Sequence, residues 1–306
     1  MSLPRIVFMG SPEFAKGVFK RLTKDYPVAA VFTQPDRPAG RGKVLTPPPV
    51  KAAALEAGIP VFQPERLRRP EAFAELEALQ PDLIIVAAYG QILRQQVLDL
   101  PRYGCLNVHA SLLPRWRGAA PIQAAILHGD AETGVTIMKM DAGIDTGDML
   151  AKKSLPIHPQ DTSETLSARL SDLGAELLVD TLEKYLSGMI TPVAQPDEGA
   201  VYAPMLKKDD GLLDFNQNAD ALERKIRAYT PWPGAYFLYG GQPLKVKQAS
   251  VALDDSLIAG ETGVINQLPA VGTGKGALIL QEVQPAGKKM MSGKDFLRGA
   301  RDWVSA

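Results

Sequence analysis

Asn107 and His109, two residues apart in the run Asn107-Val108-His109-Ala110-Ser111-Leu112-Leu113-Pro114, and Asp145 in a Gly-rich loop combine an amide donor, an imidazole and a carboxylate. Groups of these types can move an activated one-carbon acyl group onto an amine. Attack on a formyl carbon passes through a tetrahedral oxyanion, and an Asn N–H and a protonated imidazole can both donate to that oxygen. Each donor placed for it stabilises the transition state by ~3 kcal/mol. A carboxylate beside the imidazole favours its charged form and can take the proton lost by the amine, directly or through water. The same residues also fit a hydrogen-bonded core pair and a turn-forming Asp, and spacing alone does not separate the two readings.

For chemistry to occur, the fold must bring these groups to one place. In a strand, side chains at i and i+2 share a face, so Asn107 and His109 project together while Val108 packs the other way. Continuous apolar runs of strand length at 5–9, 28–32 and 83–88 fit strands covered on both faces. Between them, 13–24, 49–57 and 70–79 read as helices; Pro49 at the start and Gly58 past the end punctuate the middle one. Strand and helix in alternation predict an open α/β sheet, where ligands bind beyond the carboxyl ends of strands. Asn107 and His109 close a strand over 105–109, where that rule expects chemistry.

A further strand is predicted over 135–140, followed by the tight loop Asp141-Ala142-Gly143-Ile144-Asp145-Thr146-Gly147, and a long amphipathic helix or helix pair over 162–186. From 189 to about 206 the chain is irregular, with Pro192, Pro196 and Pro204, and reads as a linker. Beyond it, a short helix over 222–229 precedes strands at 236–238, 244–251, 262–265 and 277–283, parted by Gly-rich turns. That texture predicts a small barrel of the five-stranded oligonucleotide-binding type.

The 306 residues favour two domains with a substantial core. A formal net charge of zero gives no global argument for a nucleic-acid partner, so such a site has to come from a local patch. The single Cys105 excludes an internal disulfide framework and a zinc site built on several cysteines, and reads as a small buried strand residue. No stretch approaches the ~20 apolar residues that span a bilayer, and the start lacks a secretory apolar core. The expectation is a cytoplasmic protein with no membrane partner.

Other motifs carry less. Gly10 stands alone where a dinucleotide fingerprint needs three glycines, and no phosphate-loop sequence occurs. His128 beside Gly129 reads as a helix end, and His158 lies in a Pro-flanked loop. The stretch Gln34-Pro35-Asp36-Arg37-Pro38-Ala39-Gly40-Arg41-Gly42-Lys43 packs three cations into seven residues, and Arg115-Trp116-Arg117-Gly118 sets two beside an aromatic. Such loops can grip phosphates and stack on bases; a solvated surface loop is the simpler alternative.

Together these residues strongly resemble the methionyl-tRNA formyltransferases. The resemblance rests on Ser11-Pro12, the loop 34–43, the run from Asn107 through Arg117-Gly118-Ala119-Ala120-Pro121, and Thr136-Ile137-Met138-Lys139-Met140-Asp141. Gly143-Ile144-Asp145-Thr146-Gly147, Pro231-Trp232-Pro233 and Pro285-Ala286-Gly287-Lys288-Lys289 complete it, in order and over nearly the whole chain. The Asn, His, Ser-Leu-Leu-Pro and Asp signature is shared by the wider group of formyltetrahydrofolate-using transferases. It points to the reaction, while the cationic loop and the carboxy-terminal barrel narrow the acceptor.

The resemblance implies an α/β protein: a Rossmann-like, mostly parallel formyltransferase domain over 1–189, a linker over 190–206, and an OB-like tRNA-binding barrel over 207–306. It implies transfer of the formyl group of 10-formyltetrahydrofolate to the α-amino group of methionyl initiator tRNA, with no metal, by a monomer. Asn107 and His109 would stabilise the oxyanion, and Asp145 would orient or charge His109 and assist proton transfer. Ser111, Leu112, Leu113 and Pro114 would line the folate site, with Gln91, Ile92, Leu93 and Asp141 holding the pterin. Arg41, with Arg37 and Lys43, would enter the acceptor stem, while Lys245, Lys247, Lys288 and Lys289 would hold the tRNA backbone. The nearest rival is a formyltransferase for an amino-sugar nucleotide or a purine precursor, which has no acceptor stem to probe. A non-catalytic RNA-binding protein would have no use for the intact Asn107, His109 and Asp145.

Overall fold

The computed structural model describes residues 3–39 and 44–304. It divides into two compact units, the first comprising 1–121, 132–156 and 167–203 and the second 122–131, 157–166 and 204–306.

In the first unit, β1 (Ile6–Gly10), β2 (Val28–Phe32), a short ribbon of β3 (Arg37–Ala39) and β4 (Val44–Thr46), β5 (Val61–Phe62), β6 (Leu83–Ala87) and β7 (Cys105–His109) follow in chain order. They continue with β8 (Arg117–Gly118), β9 (Glu132–Lys139), β10 (Met149–Pro156) and β11 (Tyr202–Ala203). The main sheet has the order β10-β9-β7-β6-β1-β2-β5. Its β5-β2-β1-β6-β7 stretch is parallel, while β9 runs antiparallel to β7 and β10 antiparallel to β9. Every residue of β1, β6 and β7 is buried, as continuous apolar strands require when both faces are covered. One face packs Val7, Met9, Phe32, Ile84, Val86 and Cys105 with Leu67 and Leu76. The helices α1 (Glu13–Asp25), α2 (Pro49–Glu56) and α3 (Pro70–Ala78) fall close to their predicted spans, and Gly58 takes a left-handed φ of 68° past the end of α2.

The single long helix Ser163–Leu186 replaces the alternative of a helix pair. Its Gly174 lies so close to the sheet that a Cβ there would stand 2.9 Å from Val108. Val108 is thereby placed on the face away from its two polar neighbours, as strand alternation predicts. The stretch 190–206, expected as a linker, belongs to the first unit as far as Ala203. Met149 and Val193 exchange backbone hydrogen bonds at 2.8 and 2.9 Å, and β11 pairs parallel with β8.

The second unit carries β12 (Ala235–Tyr239), β13 (Gln242–Ala252), β14 (Thr262–Ile265), β15 (Leu268–Gly272), β16 (Ala277–Pro285) and β17 (Met291–Ser292). The antiparallel path runs β12-β13-β16-β15-β14, with β17 added on β16. Its core gathers Leu222, Phe237, Leu244, Val246, Leu280, Phe296 and Trp303; the indole N–H of Trp303 donates to the Gly263 carbonyl at 2.7 Å, so the aromatic is buried without an orphaned donor. Among the described residues, no helix is long and apolar enough to cross a membrane.

Candidate active site

Asn107 and His109 stand on β7, inside the sheet between β6 and β9, with Asn107 opposite Val86 and Met138 and His109 opposite Thr136. Both are nearly buried, at 8% and 5% exposure. Asp145 joins them from the loop after β9. Asn107 Nδ2 donates to Asp145 Oδ1 at 3.2 Å, and His109 Nδ1 faces Asp145 Oδ2 at 3.6 Å. The other imidazole nitrogen, Nε2, is 2.9 Å from the Trp116 carbonyl oxygen. A carbonyl only accepts, so Nε2 carries a hydrogen and Nδ1 is the nitrogen turned to the carboxylate. The three groups singled out by type and spacing therefore meet at the Asp145 carboxylate, Asn107 through a hydrogen bond and His109 through a charge-pair contact.

Local chemistry explains how each is held. Thr136 Oγ1, opposite His109, donates to the Ser111 carbonyl at 2.7 Å and accepts from the Leu113 N–H at 3.1 Å. Ser111 Oγ in turn donates to the Arg115 carbonyl at 2.6 Å. The Ser-Leu-Leu-Pro turn, with a cis Leu113–Pro114 bond, is thus tied to the sheet and to itself, which delivers the Trp116 carbonyl to the imidazole. Trp116 is buried with a left-handed φ of 63°, and the Arg115 guanidinium lies 4.3 Å over its ring.

On the other side, Asp141 accepts from Gly143 N at 3.1 Å and from the Thr146 hydroxyl at 2.8 and 2.9 Å, curling the loop so that Asp145 adopts a left-handed φ of 52°. Aspartate tolerates that region better than most residues. The exit demands glycine, because a Cβ on Gly147 would stand 1.9 Å from the Lys139 carbonyl.

Four contributors are given no role at the site by the motifs. The Gly118 N–H donates to Asp145 Oδ2 at 2.8 Å. Gly118 itself has φ 110° and a closest virtual Cβ contact of 2.6 Å to the Ala203 carbonyl, so only glycine fits. Thr136 and the Trp116 backbone act as described. Gln195 is the fourth: its side chain bonds the backbone of the Asp145 loop from fifty positions away, a separation that leaves no signal in local sequence.

The folate-assigned residues fall into two groups. Ser111, Leu113 and Leu93 are buried, and the Gln91 side chain is spent on Leu67 N (2.8 Å) and the Pro64 carbonyl (3.0 Å). Ile92 (84% exposed) and Asp141 are open to solvent, and Leu112 and Pro114 are half-buried. Ile144, within the pterin-assigned loop 141–145, is also 60% exposed. Among the cations, Arg37 is exposed on β3, while Arg41 and Lys43 lie outside the described residues. Lys245 and Lys247 occupy the open face of β13, alternating with buried Leu244 and Val246. Lys245 pairs with Gln284, whose amide donates to the Lys288 carbonyl at 2.9 Å, so Lys288 and Lys289 lie in the turn at the same end of that ladder.

Burial pushes the Cys105 thiol up to about 12. A raised thiol value means a neutral, unreactive sulfur at ordinary pH. Cys105 should therefore resist a disulfide reagent at pH 8 in the folded protein and react only after denaturation; rapid labelling of the native chain would contradict this. Among the described residues, no three His, Cys, Asp or Glu side chains cluster to hold a metal ion.

An amide, an imidazole and a carboxylate thus converge at one strand end of an open α/β sheet, and the family comparisons give the class as formyl transferase. Residues 4–182 match the formyl transferase family model and 205–301 match its C-terminal domain model. The methionyl-tRNA formyltransferase of Geobacter metallireducens is 49% identical over 302 residues, 97% of this chain and 96% of its own length. That of Myxococcus xanthus is 51% identical over 304 residues, 98% and 96% respectively. Among solved structures, HypX from Aquifex aeolicus in complex with tetrahydrofolic acid superposes with a TM-score of 0.68 at 18% identity, over 99% of this chain and 48% of that longer one. At that identity the likeness is one of fold. The chain belongs to the methionyl-tRNA formyltransferase family, and the donor of that family is 10-formyltetrahydrofolate. The residues present suit such a donor: the loops after β6 and β9 expose the apolar side chains Ile92 and Ile144, and the Asn107 amide supplies a hydrogen-bond donor.

Proposed function

We propose that Asn107, His109 and Asp145 carry out, in this chain, the formylation of methionyl initiator tRNA for translation initiation. The reaction moves the formyl group of 10-formyltetrahydrofolate onto the α-amino group of the esterified methionine. The observation that carries the residue assignment is the convergence of Asn107 and His109 on the Asp145 carboxylate.

As the amine nitrogen bonds to the formyl carbon, the carbonyl oxygen gains charge. Asn107 Nδ2 keeps one hydrogen on Asp145 and offers its second to that oxygen. The His109 Nε2 hydrogen rests on the Trp116 carbonyl until the oxyanion, a stronger acceptor, forms within reach. Asp145 receives the proton lost by the amine, directly or through water. Collapse of the tetrahedral species breaks the bond from carbon to the folate nitrogen, which takes up a proton as it leaves.

Ile92, Leu112, Pro114 and Asp141 offer the accessible surface for the folate. Ser111, Leu113, Leu93 and Gln91 act by shaping the loops beneath. Arg37, Arg41 and Lys43 are assigned to the acceptor stem, and Lys245, Lys247, Lys288 and Lys289 to the tRNA backbone. In this reading residues 1–189 hold the chemistry, 207–306 hold the tRNA, and the enzyme works as a cytoplasmic monomer.

One assay tests the acceptor: 10-formyltetrahydrofolate incubated with methionyl initiator tRNA, with an amino-sugar nucleotide, and with neither. Formylation of the tRNA alone is expected, and formylation of the sugar nucleotide in its place would overturn the reading. Arg41→Ala should raise KM for the tRNA by about tenfold, the loss of one or two phosphate-type contacts, while folate binding stays within twofold. Unchanged tRNA kinetics would remove Arg41 from the recognition surface.

A further inference from the structure

Gln195 lies in the irregular stretch that follows the long helix, and its amide makes three hydrogen bonds. Oε1 accepts from Arg117 Nε at 3.0 Å, while Nε2 donates to the Asp145 carbonyl at 2.9 Å and the Gly147 carbonyl at 2.7 Å. Chemistry fixes this orientation. A guanidinium only donates and a carbonyl only accepts, so the reversed amide would set oxygen against two carbonyls and hydrogens against a cation. Both amide hydrogens are thus committed to the loop that carries the site's carboxylate.

The supports around the amide are equally defined. Arg117 is 7% exposed, and its N–H donates to the Val201 carbonyl at 2.9 Å. The pairing of β8 with β11 ties Arg117 and Gly118 to Tyr202 and Ala203, and the Gly118 N–H holds Asp145 Oδ2. The 145–147 turn is therefore held twice: at its backbone by Gln195 of the 193–203 segment, and at its carboxylate by Gly118 of β8, which pairs with that segment. Without the Gln195 N–H groups, the Asp145 and Gly147 carbonyls, two positions apart, would lose these donors. The left-handed turn at Asp145 would lose the partner that offsets its strain.

We infer that Gln195 is a positioning residue for formyl transfer: it clasps the Asp145–Gly147 turn and so holds the Asp145 carboxylate against Asn107 and His109. This inference rests on the role given above to Asp145. It assigns catalytic consequence to a residue far in sequence from the catalytic groups, and it predicts a loss in turnover rather than in substrate binding.

The test is a double-mutant cycle in the full-length enzyme with 10-formyltetrahydrofolate and methionyl initiator tRNA, comparing Gln195→Leu, Asp145→Asn and the double variant. Gln195→Leu should lower kcat about tenfold, with KM for each substrate within twofold, and should cost less than twofold further when Asp145 is already Asn. A merely structural role would give multiplicative losses in the double variant. Wild-type kcat in Gln195→Leu, a rise in KM alone, or an undiminished loss in the Asp145→Asn background would overturn the inference. If Gln195→Leu does not fold, Gln195→Glu serves by the same criteria, since it keeps the Arg117 contact but sets an oxygen against the two carbonyls. Failure of both to fold would mark Gln195 as structural and also overturn it. An Asp145→Asn variant with wild-type turnover would instead sink the Asp145 assignment itself, so the two failures are distinct.

Discussion

His109→Ala and Asn107→Ala should each lower kcat by at least ~100-fold, with KM for both substrates changing far less. In the proposed mechanism each substitution removes a donor to charge that exists only in the transition state, and such donors lower the barrier without tightening substrate binding. The two variants reach that loss differently. Without the imidazole, the Trp116 carbonyl and Asp145 Oδ2 both lose a partner on the same side of the site. Without the amide, Asp145 Oδ1 loses the donor at 3.2 Å, so Asn107→Ala also loosens the carboxylate. The effects should consequently be less than multiplicative when combined, because groups sharing one network do not add. Single-turnover rates with saturating formyltetrahydrofolate and charged tRNA provide the check. A kcat within a few-fold of wild type in either variant would refute the oxyanion role.

How much of this site was legible beforehand depends on the range of the interaction. β7 was readable to its end residues because a five-residue strand in a parallel sheet is apolar on both sides except where it presents Asn107 and His109. The face they share follows from strand alternation alone, and Val108 against Gly174 of the long helix agrees with it. Asp145 could be flagged as a type in a Gly-rich loop, but its partner in space could not, since the loop's curl depends on Asp141, Thr146 and the tight exit at Gly147. Gln195 was illegible for a plainer reason. An amide in a Pro-rich irregular stretch looks like a solvated linker residue, and the bonds that give it a role span about fifty positions.

The same distinction runs through the fold. The Gly240-Gly241 turn, with φ of 55° and 73°, announces the β12–β13 hairpin, because glycine adopts that region freely. The turn at Asn266-Gln267 has the same left-handed pair, at 51° and 62°, without a glycine, so β14 was foreseen while its partner β15 was not. β10 escaped notice because it is an edge strand that is largely exposed and carries Lys152 and Lys153, residues that protect an open edge and erase the apolar pattern. Of the β3–β4 ribbon, β3 lies inside the stretch 34–43 that reads as one cationic loop and β4 directly follows it; Arg37 pairs with Thr46 and Ala39 with Val44 across it.

Asp145→Asn is the second large effect expected, a fall in kcat of at least ~100-fold, and its cause is not the missing charge alone. Both carboxylate oxygens act as acceptors: Oδ1 from Asn107 Nδ2, and Oδ2 from the Gly118 N–H beside the His109 ring. An asparagine has one acceptor oxygen and one NH2 group. Whichever way it turns, the NH2 must meet a donor, either the Asn107 amide or the Gly118 backbone. Turned toward Asn107, it forces that side chain to flip, which would set the Asn107 carbonyl oxygen where the amide hydrogens had been. Turned toward Gly118, it breaks the bond that ties the carboxylate to β8 and sets hydrogens toward His109 Nδ1. Either outcome also removes the acceptor for the amine proton. The isosteric change should therefore cost as much as Asp145→Ala, to within a few-fold, and leave folate binding nearly intact. If Asp145→Asn kept most of the activity that Asp145→Ala loses, the carboxylate would be acting by shape alone, and its part in proton transfer would have to be withdrawn.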